Sequence, residues 1–130
     1  MKRHGGRKSE KIWYKVADEE ASALLAALPT DLRDKLGNVT VTLEARPSIA
    51  DVSTHDDYED MLGVFVGHAY GEELETTDPI PSAIKLFIEN LREEVNDDWT
   101  RFRQEVRATL LHEIGHYLGL DEDDLVARGL

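Results

Sequence analysis

Cysteine is absent from the 130 residues. That excludes a disulfide framework, an iron–sulfur cluster, a thiolate zinc site and a cysteine nucleophile. Long apolar runs are missing too, and nothing approaches the ~20 residues that a membrane-spanning helix needs. The early triplet Ile12-Trp13-Tyr14 gives way at once to Lys15, too short for a signal-peptide core. No membrane partner and a cytoplasmic location are therefore expected. Basic residues are in deficit: 15 Lys and Arg stand against 27 Asp and Glu, a formal charge of −12. The deficit is uneven. Lys2, Arg3, Arg7, Lys8 and Lys11 against Glu10 give residues 1–11 a charge of +4, which leaves −16 on the remainder. A body that acidic repels phosphate backbones, so nucleic acid is not an expected partner. The basic stretch 1–11 reads as a solvated, flexible N-terminal arm.

What is present describes one globular domain over residues 12–130. Apolar residues make up 41% and charged residues 32%, with no internal repeat and no low-complexity tract. A chain this long buries roughly two-thirds of its unfolded surface and needs no metal merely to fold.

Periodicity then assigns the elements. From Asp18, Ala21, Leu24, Leu25 and Leu28 recur at helical spacing behind the acidic Asp18-Glu19-Glu20. Pro29 interrupts, Thr30 is placed to cap a short turn with Leu32 and Leu36, and Gly37-Asn38 ends it. Val39 to Glu44 alternates as a strand, and Arg46 to Asp60 has no period, reading as a loop or short irregular helix. Leu62 to Gly67 and Ala83 to Ile88 are two further strands, joined by a polar connection from Glu72 to Pro81. Asn96, Asp97 or Asp98 can cap a long helix from Trp99 to Leu118, with Trp99, Phe102, Val106, Leu110, Ile114 and Tyr117 on its core stripe. Gly119 is placed to end it, and Asp121 to Leu130 has room for another turn or two of helix. The expected class is α+β: an N-terminal helix, three or four strands and a buried C-terminal helix.

His112-Glu113-Ile114-Gly115-His116 lies on that last helix. Residues four apart share a helix face, one turn (about 6 Å) along the axis, so the two histidines can offer imidazole nitrogens to one ion. Neutral imidazole suits Zn²⁺, and Glu113 beside the first histidine can accept a proton from water at the ion without being a ligand. Apolar neighbours imply a mostly buried helix, where two unpartnered imidazoles would need partners.

Zinc needs a further ligand, and thiolate is excluded. Gly119 can turn the chain back, and Glu122 follows three residues later. Glu122 is therefore the expected third ligand, with Asp121 and Asp123 as flanking alternatives. Tyr70 and Tyr117 are candidate phenols for a developing oxyanion, Tyr117 reading more naturally as core. His68 is a candidate substitute ligand or electrophile, and His4 and His55 receive no role.

His-Glu-Ile-Gly-His-Tyr-Leu-Gly-Leu at 112–120, preceded by Leu62 to Gly67 and by the Pro79 to Phe87 stretch, resembles the small bacterial minimal-zincin metallopeptidases. The resemblance runs from about Ile12 to Arg128. It implies a pared-down zincin fold, a small mixed sheet packed with an N-terminal helix and the active-site helix. By that similarity His112 and His116 match the zinc histidines and Glu113 the general base. Position 122 is where the family carries an acidic residue, often aspartate. Metzincins follow the site with a methionine turn, whereas Met1 and Met61 here both precede it.

The function expected is zinc-dependent peptide hydrolysis with one Zn²⁺ per chain, held by His112, His116 and Glu122, and with Glu113 activating water. A peptide or protein substrate can bind as an added strand along an edge formed by Val64-Phe65-Val66 or by Ala83 to Phe87. Two rivals stand beside this reading. One is a metal-dependent RNA hydrolase, disfavoured by Glu113 and the acidic body; the other is a non-catalytic zinc-containing binding module.

Overall fold

The computed structural model describes residues 2–37, 39–48, 58–72 and 82–130, with side chains from Glu10 onward. The elements in chain order are α1 (Lys2–Ala27), α2 (Thr30–Lys35), β1 (Thr40–Glu44), a 3₁₀ turn (Tyr58–Asp60), β2 (Gly63–Val66), β3 (Ala83–Phe87), α3 (Ile88–Glu94), α4 (Trp99–Leu118) and α5 (Glu122–Ala127). The polar connection after Glu72 and His55 lie outside the described residues.

The sheet is mixed, in the order β1-β3-β2. β3 runs parallel to β1, with Val41 opposite Ile84, and antiparallel to β2, with Val64 opposite Lys85. Alternation decides which side faces inward. Ile84 and Leu86 of β3 are fully buried in the main core, where Val41 and Leu43 of β1 join them. Phe87 and Val64 point to the opposite face, against Tyr58, Met61 and Val66.

The hub is α4, which touches α1, α3, α5 and both β2 and β3. Its Phe102, Val106, Leu110 and Ile114 are fully buried and Tyr117 nearly so. Each such side chain contributes about 1.5–3 kcal/mol by leaving water. Asp98 caps the helix, accepting from the Arg101 N–H at 2.9 Å. Trp99 departs from the expected stripe. It is 41% exposed, because it sits in the first turn with one face stacked on Trp13 (centroids 3.7 Å apart) and the other open.

Three further differences from the sequence pattern have physical causes. The first helix starts at Lys2, not Asp18, so the basic segment 2–11 continues α1. Trp13, Val16 and Ala17 are buried and extend the stripe of Ala21, Leu24 and Leu28 upstream. The short helix at 30–35 has Pro29 as its N-cap and no side-chain cap from Thr30. Finally, α3 follows β3 without an intervening turn. Ile88, Leu91 and Val95 are its buried face, and the left-handed pair Asn96 (φ 51°) and Asp97 (φ 56°) turns the chain into α4. Among the described residues, no helix is long and apolar enough to cross a membrane.

Candidate active site

The C-terminal half of α4 carries the site. Gly119 takes the left-handed conformation at φ 73°, and the Leu120 N–H reaches back to the Gly115 carbonyl at 2.8 Å. Asp121 then caps α5: it accepts from the Asp124 N–H at 2.8 Å, and Asp124 accepts from the Asp121 N–H at 3.0 Å. This reciprocal pair fixes the entry angle of α5 and occupies both carboxylates. Gly115 lets α5 come close, since a Cβ there would lie 3.0 Å from the Leu120 carbonyl oxygen and 3.3 Å from Leu125. The ion pair of Arg128 with Asp31 of α2, at 3.0 Å, ties down the far end.

These constraints bring Glu122, the first residue of α5, beside His112. Its Oε1 is 2.9 Å from His112 Nδ1. His116 Nδ1 lies 3.2 Å from Glu113 Oε1. The two imidazole centroids are 4.3 Å apart at an interplanar angle of 64°. His112, Glu113 and His116 can each offer a ligand atom, all within 4.8 Å of one another.

Burial is distributed unlike the expectation of two enclosed imidazoles. The histidine side chains are half exposed, at 49% and 54%, while Glu113 retains only 9%. The stripe of Leu110, Ile114 and Tyr117 faces the core, so the histidines lie on the open shoulder of α4. Glu113 is buried where α4 borders a neighbouring strand.

That strand is β2. A Cβ on Gly63 would come 2.8 Å from the Thr109 methyl of α4, so glycine is what permits this approach. Between β2 and α4 lies a cavity of about 400 Å³ bordered by Met61, Gly63, Thr109, His112, Glu113 and Glu122. Buried Asn90 holds its lip. The Asn90 amide donates to the Glu59 and Met61 carbonyls at 2.7 and 2.8 Å, and its oxygen accepts from Arg46 at 2.9 Å. Arg46 also pairs with Glu93, and its hydrogen bonds hold the Glu93 carboxyl below the usual carboxylate range. A lowered carboxyl pKa makes that support present at neutral pH and lost as pH falls through the lowered value.

A family model described as a zincin-like metallopeptidase matches residues 36–130, well over half of the chain. The chain belongs to this family. Curated protein sequences give no match. Membership in the zincin-like metallopeptidases implies zinc and a hydrolase, and the donor chemistry agrees. His112, Glu113 and His116 offer donor atoms within 4.8 Å of one another, while Glu122 lies outside that group, beside His112; imidazole nitrogen and carboxylate oxygen are the donors that zinc accepts when thiolate is absent.

The other candidates separate clearly. Asp121 is committed to its capping box, and Asp123 is exposed and does not border the cavity between β2 and α4. Tyr117 is 2% exposed and meets Phe65 edge-on, so it is core. Tyr70 is exposed, with the Lys35 ammonium 5.5 Å from its ring centroid, and it does not border that cavity. His68 is outside the metal-capable group. The sequence pattern does not single out Asn90 or Glu105. Glu105 had a usable signal, since it falls seven residues before His112 on the same face of α4.

Proposed function

We propose that the protein is a zinc-dependent peptidase in which His112, His116 and Glu122 hold one zinc ion per chain. The convergence of His112, Glu113 and His116 beside a strand edge carries this reading. Zinc, when bound, supplies a Lewis acid that polarises a carbonyl oxygen and acidifies water. Glu113 takes the proton of the attacking water at its carboxylate and delivers it to the departing amine. Its burial keeps that carboxylate away from bulk solvent, while the open histidine shoulder leaves room for a substrate carbonyl.

The peptide is held as an added strand. β3 is central, which removes it as an edge; β2 lies beside the site, and no strand among the described residues pairs with its outer side. Backbone groups of β2 then position an extended peptide over α4. Incubating zinc-loaded protein with a degenerate peptide pool should give cleavage products by mass spectrometry, abolished by a chelator and restored by zinc. Products that persist unchanged in excess chelator would refute the metal-dependent reading.

A further inference from the structure

The cavity between β2 and α4 extends past the catalytic groups. At the end away from His116 it is bordered by Glu105, which precedes His112 by two helical turns, about 10 Å along the axis. Its walls there are Met61, Leu62, Ala108 and Thr109, and its carboxylate borders have no lysine or arginine among them in the described residues. Glu113 and Glu122 are engaged with the histidines. Glu105 is not: it is half-buried, and among the described residues it forms no ion pair, not even with Arg101 one turn earlier. A slot with apolar sides and a carboxylate at its far end matches a long aliphatic stem with a cationic head.

We infer that this cavity is a subsite for a lysine or arginine side chain of the peptide, and that Glu105 selects it. The inference rests on the peptidase reading above for its substrate class. The stem lies against Met61, Leu62 and Ala108, and the ammonium or guanidinium meets the Glu105 carboxylate. The charge of −16 outside the first eleven residues works in the same direction, drawing cationic peptides toward the protein. An acidic side chain in the same slot would face three carboxylates.

Binding without turnover separates this claim from catalysis. Two fluorescent pentapeptide pools are used, degenerate except for a central lysine in one and norleucine, its uncharged near-isostere, in the other. Anisotropy titrations are made with full-length Glu113→Gln protein, zinc-loaded, with and without Glu105→Gln. The lysine pool should bind roughly two- to fivefold tighter than the norleucine pool, and Glu105→Gln should erase that difference. Added salt should narrow it. Equal binding of the two pools, no binding of either, or a lysine preference that survives Glu105→Gln would each overturn the assignment. A Glu105-dependent preference in a protein that cleaves no peptide would instead keep the subsite and defeat the peptidase reading.

Discussion

Replacing Glu113 with glutamine should leave the protein folded and zinc-loaded while lowering peptide hydrolysis by about 10²–10⁴-fold, the range that general acid–base catalysis supplies. Glutamine keeps the volume of a side chain that is 91% buried, and its amide oxygen can still accept from His116 Nδ1, where Glu113 Oε1 now sits at 3.2 Å. What disappears is the ability to take a proton and return it. Zinc content and kcat/KM measured on the same preparation separate the possible roles. A variant that loses its zinc would make Glu113 a ligand, and one that turns over at the wild-type rate would remove it from the proton path.

Glu122→Ala should weaken zinc binding by more than about 100-fold, beyond the 10–100-fold that follows loss of a residue that merely orients a ligand. Two imidazoles and water hold zinc poorly, and no thiolate exists to substitute. The neighbours give the contrast. Asp121→Ala breaks the capping box of α5 and should cost about 1 kcal/mol of stability, with a far smaller change in zinc affinity. Asp123→Ala removes an exposed carboxylate and with it only a screened attraction. Competition against a chromogenic chelator places all of these variants on one scale. A loss confined to 10–100-fold would recast Glu122 as the partner that orients His112 through the 2.9 Å contact. A larger loss in Asp121→Ala than in Glu122→Ala would move the third ligand altogether.

The parts of the site legible in the sequence are those set by local geometry. His112 and His116 meet because they are one turn apart. Glu122 comes beside His112 because Gly119 reverses the chain and the Asp121–Asp124 pair aims α5. The strands were legible to within a residue or so because their alternation survives burial. The early helix start was hidden by charge: Lys2 to Lys11 mask the stripe that Trp13 and Val16 begin, and Asp18-Glu19-Glu20 imitate a first turn while lying mid-helix. α3 was hidden because β3 passes into it directly at Ile88, with no glycine or proline between. Tertiary relations were not legible at all. That Asn90 holds the Met61 lip, or that Glu105 borders the same cavity as Glu113, depends on where Gly63 lets β2 settle against α4. The exposure of the histidines likewise follows from which shoulder of the buried helix the sheet leaves uncovered.

Membership in the zincin-like metallopeptidases makes metal binding by the pair on α4 the central claim. Zinc per chain, measured by inductively coupled plasma mass spectrometry after zinc loading and exhaustive dialysis, tests it most directly. The wild-type chain should retain close to one zinc, and His112→Ala/His116→Ala, confirmed as folded by circular dichroism, should retain close to none. A wild-type chain that retains no zinc, or a folded double variant that retains as much as the wild type, would contradict the assignment of the metal to these two histidines.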